Sequence, residues 1–360
     1  MNSPSAVSRP KDPSAADRAE TRAIRSAIRE LSRAYREAHP WLDRSQNAIG
    51  LVLQLSAFAG MVGTAVLYAR GQLSALVTVV LIAFACSIAH EIEHDLIHLL
   101  YFPRQPWVRH GMLAIGWLMR PSTVNPWIRS RLHLHHHRAS GTPTDLEERA
   151  ITNGERWGLK RLLMTADGLL STWLRLPYSN PRKAWRQLLR GTLGYGPLTW
   201  LYHVAIAADL ILHLQQWRGG LSPEAQLRLV ALDFVMVIWA LPNILRTFSL
   251  HFVSSNLHYY GDIAEGDILR QTQVLNHPLL MPLQLFCFNF GSTHAIHHFW
   301  VSEPFYLRQL TAADAHAVMR ERGVRFNDLG TFWRANRYGS RTVPALTETE
   351  TALASELSTG

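Results

Sequence analysis

Two neighbouring stretches constrain this chain more than anything else in it. Gly50 to Ala69 carries no charge across twenty residues, and Gln72 to Ala89 carries none either. At 1.5 Å per residue, a helix of that length comes close to crossing a hydrocarbon core of about 30 Å. Only Arg70-Gly71 separates the two, so they read as a tight membrane hairpin. The mean hydropathy of −0.03 hides this, because strongly polar segments balance the apolar ones. Two further spans are expected, at Leu193–Leu214, broken by Asp209 alone, and at Leu227–Phe252. The chain therefore reads as an all-α polytopic membrane protein with four transmembrane helices, near 50–69, 72–93, 193–214 and 227–252.

Histidine is the second constraint. Four of the 18 histidines fall within five residues of the segment Arg131-Leu-His-Leu-His-His-His-Arg138. A helix turns about 100° per residue, so His136 lies about 60° to one side of His133 and His137 about 40° to the other. His135 points nearly the opposite way and is read as a bystander. His294-Ala-Ile-His297-His298 repeats the same spacing, and His90, His94 and His98 follow one another at i, i+4 steps. Isolated histidines such as His110, His203 and His213 read as ordinary surface or core residues. Three clusters that each aim imidazoles into one space point instead to metal, since neutral imidazole suits Fe, Zn, Cu and Ni. Eight or nine convergent ligands exceed the four of a structural zinc, which suggests two ions.

Charge orders the rest of the chain. The net charge of +9 lies almost entirely outside the spans, and a positive-inside topology explains it better than nucleic-acid binding, which is not expected. The count of spans puts both termini and the long segment between the second and third spans on one side. That side holds nearly all Arg and Lys and should be cytoplasmic. All three histidine clusters fall there, in a helical cap. Residues 1–45 form a basic amphipathic segment; within it Ser14 and Asp17 resemble a capping box, and Ile24, Ile28, Leu31 and Tyr35 form an apolar stripe. Such a helix fits an anionic membrane surface, and a helix packed on the body fits nearly as well. It lacks the form of a signal peptide. Val108–Met119 is apolar but too short to cross, so it reads as interfacial or re-entrant. Residues 46–310 make up the membrane domain, 311–342 a cytoplasmic C-terminal extension, and 343–360 a disordered tail. Cys86 and Cys287 lie in apolar surroundings and read neither as a disulfide nor as cluster ligands.

The clusters together, over roughly Leu51 to Leu310, resemble the membrane fatty acid desaturase and hydroxylase superfamily. His94-Asp-Leu-Ile-His98 with Leu-Leu-Tyr-Phe after it is similar to that family's first box. Trp127 to His133 with His136-His137 is similar to the second, and Asn289-Phe-Gly-Ser-Thr-His294 with His297-His298 and Pro304 to the third. The family also takes a histidine just after the fourth span, the place of His258; the asparagine that some relatives carry four positions earlier is Ser254 here. The resemblance implies a non-haem di-iron centre that uses O2 to attack an unactivated C–H bond. Its metal ligands would come from His90, His94, His98, His133, His136, His137, His258, His294, His297 and His298. The family's distance between boxes favours His94/His98 over His90/His94. Depth agrees: with the span starting near Gln72, His90 lies about 27 Å along it and His98 about 39 Å, clear of a core of about 30 Å. His90 then reads as a second-layer or substrate-channel residue.

An acyl chain, free or in a lipid, is the substrate this implies, with desaturation favoured over hydroxylation of an alkyl, fatty acyl or sphingolipid C–H bond. Electrons would come from a separate ferredoxin-, rubredoxin- or cytochrome b5-like protein, since two cysteines cannot hold a cluster. The basic face suits an acidic donor. Glu91, Glu93, Asp95, Asp145 and Asp262 are candidates to orient the ligating histidines. One rival comes from another class: His90-Glu-Ile-Glu-His94 is a literal zinc-protease motif, although a protease leaves the other boxes unexplained. A histidine-based metal transporter is the third reading.

Overall fold

The computed structural model describes residues 12–339, apart from 143, 150, 152–153 and 175–180. The expected tail at 343–360 and the first eleven residues lie outside the described part. Among the described residues, four helices are long and apolar enough to cross a membrane: Gln46–Ala69, Ala75–Ile97, Pro197–Gly219 and the continuous Pro223–Leu257. The second is the central one, with 56% of its apolar window buried against 22–28% in the others. Val52, Leu76, Val204 and Leu227 exemplify the apolar side chains that the four leave exposed, as lipid-facing surfaces require. Gly50 lets the first span approach closely, because a Cβ there would sit 2.6 Å from the Tyr101 ring.

The fourth span runs through Pro242, which lacks the N–H that an α-helical ladder needs. Met236–Ala240 just before it is wound as a π-helix. That region grips the short helix Pro106–Met119: Trp239 Nε1 donates to Leu118 O and Asn243 Nδ2 to Met119 O, both at 2.9 Å. The helix expected to be interfacial or re-entrant therefore ends inside the bundle.

At the end of the bundle where the second and fourth spans finish, helices Pro126–Ala139 and Phe290–Phe299 cross over the top. The N-terminal helix Ala15–Ala38 packs on Phe290–Phe299, capped by the Ser14 side chain, which accepts from Asp17 N–H at 3.0 Å. Of the two readings of its stripe, packing on the body is the one observed. Ile24 and Ile28 are buried against Ile296, Phe299 and Met319, and Asp17 grips Arg270 through both oxygens at 2.5 and 2.6 Å. Helix Ala312–Glu321 completes the same cluster.

Candidate metal centre

Four helices carry the histidines, each with one or more at its C-terminal end, while His133 and His294 lie mid-helix. His94 is in the last turn of the second span and His98 caps it. His136 and His137 end Pro126–Ala139, His258 caps the fourth span, and His297 and His298 end Phe290–Phe299. Each C-terminus carries about half a negative charge from its unpaired carbonyls. Four such ends at one place create a field that favours cations. The third box is seated by Gly291, where a Cβ would lie 2.6 Å from Leu275 O.

Nine imidazoles come together in two groups. His94, His98, His133, His137 and His297 form the first, and His136, His258, His294 and His298 the second; within each, the ligand atoms lie within 4.8 Å of one another. In the first, four Nε2 atoms close a ring: His98–His133 at 2.9 Å, His133–His137 at 3.1 Å, His137–His297 at 3.0 Å and His297–His98 at 3.1 Å. An imidazole Nε2 has either one proton or one lone pair, so it can satisfy only one of its two contacts. A cation at the centre satisfies all four. Nitrogens about 3 Å apart around one point are close enough for a single cation to reach them all. His94 completes the group with both ring nitrogens buried and without a hydrogen bond. In the second group His298 Nε2 lies 3.3 Å from His136, 3.3 Å from His258 and 3.0 Å from His294. One nitrogen again cannot bond to three. The donor set fits two metal ions.

The outer nitrogens of His133, His136, His258 and His298 are held as metal ligands usually are, whereas Nδ1 of His294 and His297 is buried without a hydrogen bond. His133 Nδ1 meets Glu147 Oε2 and His136 Nδ1 meets Asp145 Oδ2, each at 2.8 Å. His258 Nδ1 is 3.3 Å from Glu148 Oε2, and Ser254 Oγ donates to Glu148 at 2.8 Å. His298 Nδ1 lies 2.7 Å from the Gln271 amide. Two of the three carboxylates, Glu147 and Glu148, sit on one short helix, Leu146–Arg149, whose start Asp145 holds by accepting from Glu148 N–H at 3.3 Å.

Of the five carboxylates expected to orient histidines, only Asp145 makes a hydrogen bond to one. Glu93 instead binds Arg120 and Arg129, Glu91 and Asp95 bind Arg308, and Asp262 accepts backbone N–H groups of Tyr338 and Gly339. Asp95 stays 3.7 Å from His94 Nδ1. Glu147, Glu148 and Gln271 were missed. The signal for the first two was the run Asp145-Leu-Glu-Glu just after the second box.

His90 is the one candidate ligand that stays outside both groups. Its Nδ1 faces Arg120 at 3.2 Å, and its ring lies edge-on to Phe290. His135 turns away to Thr144 O at 3.1 Å. His203 is satisfied by Thr199 O and Asp167. His213 joins Asp209 and Asp233 between the third and fourth spans, where two of the three are half exposed.

The electrostatics set His136 apart. Burial, reinforced by neighbouring imidazoles, pushes His98 down to about 2. The same cause holds His137, His258, His294, His297 and His298 below the usual range, and His133 too, although Glu147 opposes it. Such rings stay neutral, as ligation needs. His136 is the exception: burial disfavours its charge, but Asp145 outweighs that and raises it to about 9. Burial likewise raises Glu148 to about 7, whereas His133 overcomes burial and holds Glu147 below the usual carboxylate range. A cavity of about 110 Å³ adjoins both groups, reaching from His94, His133 and His294 to Leu250 and Ser122.

The chain has no match among curated proteins. The family model described as fatty acid desaturase matches residues 72–330, which include every histidine box and three of the four spans. A polytopic helical chain with two imidazole groups at one end, matched over most of its length, belongs to the fatty acid desaturase family.

Proposed function

We propose that this protein is an O2-dependent membrane desaturase that removes two hydrogens from an acyl chain at a histidine-held di-iron centre. The observation that carries the reading is the division of nine buried or half-buried imidazoles into two groups whose Nε2 atoms converge. His94, His98, His133, His137 and His297 would hold one iron, and His136, His258, His294 and His298 the other. Bound there, iron would supply the oxidising power toward an unactivated C–H bond that no side chain possesses.

The chain's own residues do the remaining work. Asp145, Glu147 and Glu148 take the Nδ1 side of His136, His133 and His258, which leaves each Nε2 lone pair free for the metal. Burial of the ring atoms keeps water away from the reacting centre. The Leu132, Leu250 and Phe290 surfaces of the adjoining cavity suit a methylene chain. Electrons would arrive from a separate ferredoxin-, rubredoxin- or cytochrome b5-like donor. We place the site and both termini in the cytoplasm on the strength of the Arg and Lys distribution.

The test is expression in a host of known lipid composition, followed by mass spectrometry. A lipid two mass units lighter that depends on His136 and His297 supports desaturation. One sixteen units heavier would make the protein a hydroxylase of the same family, and neither product would sink the reading. A reporter after Gly220 should lie outside the cytoplasm and one at the C-terminus inside; an external C-terminus would overturn the topology.

A further inference from the structure

Gly168 lines the cavity beside the histidines, yet its backbone does not ask for glycine. It opens the helix Gly168–Leu174, and its φ lies outside the left-handed region that other residues avoid. Space is what excludes a side chain there. A Cβ at this position would lie 2.6 Å from the Tyr195 hydroxyl, 3.6 Å from Cζ of the same ring and 3.7 Å from His251 Cε1. Tyr195 and His251 line the same cavity. His251 stands two helical turns before His258 on the fourth span, or about 10 Å along its axis. This wall is therefore set back from the histidines that the cavity adjoins.

The surroundings of the contact are pinned. Asp167 Oδ1 accepts from Leu170 N–H at 2.8 Å, and its Oδ2 meets His203 Nε2 at 3.1 Å, which ties the start of the helix to the third span. His251 Nδ1 is held 3.2 Å from Thr165 O. Tyr195 is buried and ends the helix Pro181–Tyr195. A methyl group at position 168 is thus relieved most cheaply by the tip of the Tyr195 side chain. The open space beside that tip is the cavity itself, about 110 Å³ in volume. In so small a space the displacement of a single hydroxyl is felt.

We infer that the contact of Gly168 with the Tyr195 hydroxyl sets the length of chain that the cavity accepts. The inference rests on the proposed acyl substrate and names the two residues that select its length. A hydrophobic site discriminates by about 10- to 200-fold for each methylene gained or lost. Gly168→Ala should therefore shorten the preferred chain. Tyr195→Phe should lengthen it, because the oxygen removed is the atom nearest position 168. Together the two changes should cancel, since a methyl group then meets Cζ at 3.6 Å, an ordinary van der Waals contact.

The test has two readouts on the full-length protein. Cells expressing each variant are supplied with dodecanoate, tetradecanoate, hexadecanoate or octadecanoate, and the products are measured by mass spectrometry. Thermal unfolding of the purified proteins is followed with the same four acids, which reports binding without turnover. Gly168→Ala should lose at least tenfold in its response to the longest chain that wild type accepts, relative to the next shorter one. Tyr195→Phe should gain on the longer chains, and the double variant should restore the wild-type profile. A wild type that oxidises none of the acids but is stabilised by them according to length overturns the proposed reaction, and the unfolding profiles then decide the length selection. An unchanged profile in Gly168→Ala, a change that Tyr195→Phe does not reverse, or a wild type indifferent to length overturns the inference. Should Gly168→Ala fail to fold, the absence of a shift in Tyr195→Phe alone overturns it.

Discussion

Asp145 offers the sharpest perturbation of the metal centre, because it touches one group of histidines and not the other. Its side chain is fully buried, one oxygen against His136 Nδ1 at 2.8 Å and the other against Glu148 N–H. Asp145→Asn keeps the shape and removes the charge. The size of the effect can be estimated from His136, which this carboxylate raises from 6.5 to about 9 against the opposing effect of burial. That rise is worth about 3 kcal/mol in favour of positive charge on the ring. A metal at Nε2 is also positive charge on the ring, and because Glu147 and Glu148 share in the rise the loss should be smaller than this, about 10- to 100-fold in affinity, as for other outer-layer substitutions. The assay is metal content per chain during titration with a competing chelator. Wild type should lose its two ions at higher chelator concentration than the variant loses its first. Asp145→Asn should retain the ion of the His94 group, and Glu147→Gln should show the reverse pattern. If Asp145→Asn held both ions as tightly as wild type, the proposed role of the carboxylate would be wrong.

Three more predictions follow from the geometry. His136→Ala should remove one ion from each chain while His135→Ala, whose ring bonds only to Thr144 O, should remove none, as metal analysis of the two proteins would show. Arg308→Met strips the partner from buried Glu91 and Asp95 and should cost about 3–5 kcal/mol, read as a drop of roughly 10 °C in unfolding temperature, with Arg308→Lys recovering part of it; an unchanged midpoint would contradict the pairing. Acid should destabilise the fold: His98 and its neighbours have folded values below the unfolded 6.5, so their contribution to stability is complete above that pH and is lost as pH falls below it. The loss is about 1.4 kcal/mol per pH unit for each buried ring, and less for partly exposed His98 and His137. An unfolding temperature unchanged between pH 7 and pH 4.5 would refute this.

Much of this architecture was legible in the residues alone, because it depends on local geometry. A charge-free run of twenty residues can be satisfied only by a helix long enough to cross a bilayer, and four such helices are present. A helix also dictates angles over four or five residues, so His133, His136 and His137 share a face and His135 does not. The same logic left His90 and His98 equivalent, one turn to either side of His94. Box spacing and depth along the span favoured His98, and the packing of the other boxes against the end of the second span brings His98 within 3.1 Å of His297 and leaves His90 beside Arg120. Partner choice among the carboxylates was likewise decided in three dimensions. Glu91, Glu93 and Asp95 sit beside His94 in the chain, yet their helix turns them to arginines on other elements. Glu147 and Glu148 reach the histidines because the chain folds back after the second box. The allotment of five imidazoles to one group and four to the other has the same origin. It depends on how four helix ends meet, and no periodicity within one helix encodes that.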